Sequence, residues 1–343
     1  MDAIIFDMDG VLIDVSGSYR KAIQRTVEIY LETCLGFDNK HEKLVTDREI
    51  SLFKSAGGFN NDWDLTSGLL LRILSCSNLP PSSKEERFSS IREALLHLKT
   101  KSSRLPSKMA GRFERAFSPA FIEKVRSSGG GLKGVRKAIS GSWHGWVYQS
   151  GELSRENIVK RIFQEGYLGK EFFPRYHLRP LFYVGEGLWL QEKLLIPAGI
   201  LATLRKKVRM GIASGRPRFE AELALKRFHL LPYFDSVVTL DECNKEESRI
   251  LRSTGRRVNF SKPHPYSILR AAREMGASNL RCAYVGDVVD DMAAAQAAKK
   301  EIQILAAGFL SEGGNQEIRG SLAEAGADLV IEKPEGLLGL LSL

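Results

Sequence analysis

The sequence predicts an α/β fold: a parallel sheet covered by helices on both faces, interrupted after its first strand by a long helical insertion. Three observations predict it. Ala3–Phe6 is a short apolar run ending in acidic residues and Gly10, as a buried strand entering a turn does. From Pro197 onward, short apolar runs alternate with amphipathic stretches, the pattern of a parallel sheet buried on both sides. The residues between show helical spacing without strand-like alternation. The opening strand needs the same sheet as the C-terminal ones. The expected domains are therefore a discontinuous core, residues 1–14 plus 197–343, and an insertion, residues 15–196.

In the insertion, Tyr19, Ile23, Val27, Tyr30, Leu31 and Cys34 recur at helical spacing behind Ser16 or Ser18 as a cap. Further helices are expected near Asp47–Ser55, Leu65–Cys76, Lys84–Lys99, Pro119–Arg126 and Arg155–Glu165. Ser-, Pro- and Gly-rich linkers join them, and Gly129-Gly130-Gly131 reads as a flexible joint. In the C-terminal part, helices Pro197–Lys207, Pro217–Phe228, Pro265–Met275 and Asp290–Ala298 are expected to alternate with strands Val208–Ala213, Ser236–Leu240, Arg281–Val285, Glu301–Ala306 and Asp328–Ile331.

With 343 residues, 43% hydrophobic and 27% charged, the chain has the composition of a globular protein with room for one large domain or two. The stretch Leu188–Leu204 contains Gln191, Glu192 and Lys193, which excludes a spanning helix there. No leader-like segment precedes Ala3, so a cytoplasmic location and no membrane partner are expected. Cys34, Cys76, Cys243 and Cys282 stand singly, without metal-site spacing, and read as reduced core residues. The net charge of +9 is concentrated: residues 15–196 hold 29 Lys/Arg against 19 Asp/Glu, densest from Lys99 to Lys137. A field of that sign attracts anions such as phosphorylated metabolites or nucleic acid; the alternative is a solvated helical face.

Ligands of open parallel sheets sit at the carboxyl ends of the strands. The residues there are Asp7-Met-Asp9-Gly after the first strand, Ser214-Gly215-Arg216-Pro after Val208–Ala213, and Gly286-Asp287-Val-Val-Asp290-Asp291 after Arg281–Val285; Lys262-Pro-His264-Pro precedes a helix. This series, DxD, Ser, Lys and GDxxxD in that order, resembles the haloacid dehalogenase-like hydrolase superfamily. The resemblance covers about the first fifteen residues and everything from Pro197. It implies a Rossmann-like core with an inserted helical cap of the C1 type, here enlarged to about 180 residues.

The resemblance also implies chemistry. Asp7 would be the nucleophile, forming an aspartyl-phosphate, and Asp9 the general acid and then base. Two residues apart on an extended chain, both carboxylates can face one substrate. Ser214, Gly215 and Lys262 would bind phosphoryl oxygens. Asp7, Asp287, Asp291 and the carbonyl of Asp9 would hold Mg2+. Asp290 competes with Asp291 for the last position, or caps the following helix. Asp14 and His264 read as structural. The implied activity is hydrolysis of a small phosphorylated metabolite, with phosphoglycolate or a sugar phosphate as the default substrate. The alternatives are a sugar phosphomutase with the same motifs, or a phosphatase acting on nucleic acid through the basic insertion.

Within the insertion, Lys54, Asn60, Asn61 and Asp62 lie between two helices in a loop rich in glycine and polar groups. They are candidates for contacting the substrate beyond its phosphate, the alternative being a helix-capping turn around Trp63. Trp143 and Trp146, in Ser140-Gly-Ser-Trp-His-Gly-Trp, read as core packing rather than a stacking surface.

Overall fold

The computed structural model describes residues 1–38, 44–59, 61–83, 86–105, 116–139, 142–276, 279–310 and 316–343. The chain opens with β1 (Ala3–Phe6) and β2 (Ile13–Asp14). Eight helices follow among the described residues: α1 (Tyr19–Ile29), α2 (Asp47–Ser55), α3 (Asp62–Ser75), α4 (Ile91–Ser102), α5 (Pro119–Ser127), α6 (Gly131–Ala138), α7 (Ile158–Leu168) and α8 (Phe172–Tyr176). The remainder runs β3 (Lys193–Leu194), α9 (Ala198–Arg205), β4 (Arg209–Ala213), α10 (Arg218–Arg227), β5 (Ser236–Val238), α11 (Leu240–Thr254), α12 (Tyr266–Glu274), β6 (Cys282–Gly286), α13 (Val289–Ala298), β7 (Ile304–Phe309), α14 (Gln316–Glu324) and β8 (Leu329–Ile331). Two compact units result: Met1–Val15 with Glu192–Leu343, and Ser16–Gln191.

The first unit is built on a six-stranded sheet in the order β5-β4-β1-β6-β7-β8, with all pairings parallel. The chain's first strand is thus central, between β4 and β6. Its side chains alternate between two cores, as the period of a strand requires. Ile4 and Phe6 join Leu201, Leu204, Leu225 and Leu337 on one face. Ala3 and Ile5 join Ile268, Ala272, Met292 and Ala295 on the other. Burial on both faces explains why Ala-Ile-Ile-Phe has no polar residue. The antiparallel pair β2–β3 pairs Ile13 with Leu194 and Asp14 with Lys193; two residues per strand leave too little pattern to read in sequence. Several elements depart from expectation, among them helices α6 and α14, which were not read. Strand β7 lies three residues later than expected, and Leu240–Thr254 forms a helix where only the end of a strand was read.

The second unit is helical among its described residues. Tyr19 stacks on Tyr167 at 4.5 Å between ring centroids. Tyr30 donates to the carbonyl of Trp146 at 2.9 Å and accepts from the amide of Tyr148 at 2.9 Å. Trp143 and Trp146 are buried, and the Trp146 indole donates to the Pro80 carbonyl at 2.8 Å. They pack the core, as expected; Ser140 and Gly141 lie outside the described residues. The Gly129–Gly131 run is not a loose joint. The Gly131 amide donates to Gly57 at 2.8 Å, and a Cβ on Gly58, Gly130 or Gly131 would overlap the facing backbone. These glycines serve a direct backbone-to-backbone approach in left-handed conformations.

Candidate active site

Three of the sequence motifs extend strands of one sheet. The amide of Asp7 donates to Val285 at 2.8 Å, prolonging the β1–β6 ladder, and that of Ser214 donates to Val238 at 2.9 Å, prolonging β4–β5. Phe6 is in register with Ile212 on β4 and Val285 on β6. Asp7, Ser214 and Asp287 therefore leave the sheet side by side at its carboxyl edge, where strand order reverses about β1. Gly10, with φ of 76°, turns the chain back; a Cβ there would overlap the Asp287 carboxylate. That contact seats the opening loop against the loop after β6.

Oxygens of Asp7, Asp287 and Asp291 lie within 4.8 Å of one another. The Lys262 ammonium reaches into this cluster, 2.7 Å from Asp7 Oδ1 and 2.7 Å from Asp291 Oδ1. Asp291 is fully buried. Besides Lys262 it accepts the Tyr284 hydroxyl at 2.7 Å and the amides of Asp287 and Val288 at 3.1 and 3.3 Å. It thus fixes both the lysine and the start of α13. Burial raises Asp7 from an ordinary 3.8 to about 7; Lys262 opposes the shift, while Asp291 and Asp9 add to it. Burial alone would lower Lys262, but Asp291 and Asp7 outweigh it and hold the ammonium above its usual range. Burial, then Asp291, pushes the Tyr284 phenol well up, so it stays a neutral donor. One ammonium among three clustered carboxylates leaves excess negative charge. Oxygen donors in that number fit a hard divalent cation such as Mg2+.

The Asp9 side chain pairs with Arg216. Its Oδ1 accepts from Arg216 Nε at 2.5 Å, and the other edge of that guanidinium meets Glu192, Nη1 to Oε2 and Nη2 to Oε1, both at 3.2 Å.

A model of the family "haloacid dehalogenase-like hydrolase" matches residues 133–299. Asp7, which precedes that span, and Asp287 and Asp291, which lie within it, meet in one cluster. Over residues 133–299 the chain is a haloacid dehalogenase-like hydrolase.

The structure of a phosphatase, Tt82 from Thermococcus thioreducens, is similar to this hydrolase with a TM-score of 0.50 and 21% identity, over 94% of this chain and 99% of that one. An X-ray structure of a structural-genomics target, ZR25, gives a TM-score of 0.60 at 20% identity, over 100% and 98% of the two chains. A curated relative, an imidazoleglycerol-phosphate dehydratase from Phytophthora nicotianae, is 23% identical over 300 residues. That match takes in 87% of this hydrolase but only 42% of the relative.

The described residues of the candidate specificity loop make local contacts. Asn61 is the N-cap of α3: its Oδ1 accepts the Asp64 amide at 2.8 Å and its Nδ2 donates to Asp64 Oδ2 at 2.9 Å. Lys54 pairs with Asp62 at 3.0 Å. Lys160 sits over the Trp63 ring, its Nζ 4.1 Å from the centroid. Asn60 lies outside the described residues, as do residues 106–115 of the basic stretch Lys99–Lys137. Among the described residues, no helix of the hydrolase is long and apolar enough to cross a membrane. Arg216, Glu192 and Tyr284 were not read as site residues. Arg216 follows Ser214-Gly in a strand-end motif, which is a signal; Glu192 and Tyr284 carry none.

Proposed function

We propose that this hydrolase is a Mg2+-dependent phosphomonoesterase that works through an aspartyl-phosphate on Asp7. What carries the reading is a single geometry: the carboxylate ending the central strand shares one acidic cluster with Asp287 and Asp291 and lies 2.7 Å from a lysine ammonium. An Asp7 oxygen attacks phosphorus and the bond to the leaving oxygen breaks, with Asp9 supplying that oxygen's proton. A water, giving its proton to Asp9, then attacks phosphorus. The acyl–phosphate bond breaks, releasing phosphate and restoring Asp7. The Ser214 hydroxyl, the Gly215 amide and Lys262 hold the phosphoryl oxygens and offset their charge. Asp7, Asp287, Asp291 and the Asp9 carbonyl would hold Mg2+, with Asp291 also bracing Lys262. The ion would supply the positive charge that lets an anionic nucleophile approach an anionic phosphate.

The expected substrate is a small phosphorylated metabolite. A phosphomutase would use the same residues and differ by returning the phosphoryl group to a sugar, so release of inorganic phosphate separates the two. The test is a screen with and without Mg2+ over phosphoglycolate, sugar phosphates, nucleotides and imidazoleglycerol phosphate, the compound in the relative's name, with a 5′-phosphorylated oligonucleotide as the nucleic-acid arm. Stoichiometric phosphate release that needs Mg2+ is expected; turnover that survives chelation would sink the proposal.

The Asp7 shift adds a prediction on stability. A carboxyl raised from 3.8 to about 7 favours the fold most below 3.8, and that contribution is lost as pH rises towards 7. A bound cation offsets the loss where Asp7 is ionised. Mg2+ should therefore raise the melting temperature more at pH 8 than at pH 5, relative to protein in chelator. Equal increments at both pH values would contradict a site at Asp7.

A further inference from the structure

We propose that Glu192 and Arg216 form a buried brace that positions the Asp9 carboxylate for proton transfer, an inference that rests on the phosphomonoesterase reading. Arginine cannot shed its charge, so its burial has to be compensated by paired groups. The Arg216 side chain is 1% exposed and that of Glu192 0%, whereas Asp9 keeps 30% exposure. The planar fork is used on two edges: Nη1 donates to Glu192 Oε2 and Nη2 lies at ion-pair distance from Oε1, while Nε is aimed at Asp9.

Both ends of the brace are themselves fixed. The Glu192 carbonyl accepts Arg227 Nη1 at 3.2 Å. The Arg216 amide donates to Ser214 Oγ at 3.1 Å, and its carbonyl accepts the Leu240 amide at 2.9 Å. Arg216 is therefore anchored at its backbone and, through its guanidinium, at Glu192, and the one exposed member of the trio is the one that would meet substrate. Ser214 is tied to the same loop, so phosphoryl binding and placement of the proton donor share one scaffold. A lysine at 216 keeps the charge but has no fork, and it cannot hold Glu192 and orient Asp9 together.

Arg216 is thus a positioning residue, and the test must separate positioning from folding. Two probes serve. Benzyl phosphate has a poor alkoxide leaving group that needs a proton in the first chemical step; 4-nitrophenyl phosphate has a good one that does not. With Mg2+ present, Arg216→Lys and Glu192→Gln should lower kcat/KM for benzyl phosphate at least about tenfold more than for 4-nitrophenyl phosphate, since misplacing a reacting group by an ångström can cost on the order of a hundredfold. Asp9→Asn should show the same bias, and adding Arg216→Lys to Asp9→Asn should change neither probe further. Because the comparison is made within one soluble variant, partial misfolding lowers both probes alike. Equal losses on both probes, or independent losses in the double variant, would overturn the brace while leaving the phosphatase reading intact. Turnover of neither probe by the wild type would remove both readings.

Discussion

Asp7→Asn should abolish turnover while leaving the fold in place. The amide is nearly isosteric but cannot form the acyl–phosphate bond, so every later step lacks its substrate. A loss on the order of 10⁴-fold or more in kcat is expected, as for other residues that act as the reacting group itself. Stability should change in a characteristic direction. Asp7 is 7% exposed and is raised to about 7 by its burial, so as a carboxylate it opposes folding at neutral pH in the absence of a cation. The neutral amide removes that opposition but leaves Lys262 with Asp291 alone. Without Mg2+ the variant should be no less stable than wild type at pH 8, and the pH-dependent part of the Mg2+ stabilisation should shrink. Measurable single-turnover phosphate release by Asp7→Asn would defeat the assignment of the nucleophile.

Lys262→Met is the second large effect, and it strikes stability and chemistry together. The ammonium is the positive group within ion-pair distance of both Asp7 and Asp291, and its side chain is 13% exposed. Methionine matches its length and apolar stem but leaves two buried carboxylates facing each other. Removing one partner of a buried ion pair costs about 3–5 kcal/mol, and losing a charged contact to the reacting phosphoryl group costs roughly 10²–10³ in kcat. The Asp7 carboxyl should titrate still higher, because Lys262 is the neighbour that holds it down. Mg2+ should recover more melting temperature in this variant than in wild type. Chemical denaturation and steady-state rates on the same preparation check both halves; a loss under 1 kcal/mol would show that Lys262 is not the counter-charge the geometry makes it.

The acidic motifs were legible because of where they fall. Asp7 and Asp287 come directly after apolar runs whose burial is written in their composition, and ends of parallel strands converge. That β1 shares one sheet with the C-terminal strands was legible from its wholly apolar run, which buries Ile4 and Ile5 on opposite faces; the strand order and the central place of β1 were not. Helix α11 was missed because its sequence is almost wholly polar: Cys243 is its buried residue, and Thr239 with Glu242 and the Glu246–Arg249 pair hold it instead. Strand β7 was displaced in the reading because Leu-Ala-Ala-Gly-Phe carries few branched residues, although the structure buries it almost completely. Asn61 illustrates an ambiguity that sequence leaves open, since the same amide serves a ligand or a helix end; in the structure its Oδ1 accepts the Asp64 amide. Arg216 stood in a motif already in view, but its meaning depends on Glu192, which lies 24 residues upstream and carries no pattern of its own.

The position of Glu192 bears on how this architecture can be taken apart. It is the first residue of the chain's return into the strand-bearing unit, ahead of β3, whereas sequence alone would begin that unit at Pro197. Exchanging the helical module for a foreign one at residue 197 would discard the anchor of the Arg216 fork together with the short β2–β3 pairing. A graft joined after Gln191 would keep them. Two splice points five residues apart should thus yield chimaeras with the same six-stranded sheet but unequal command of proton transfer.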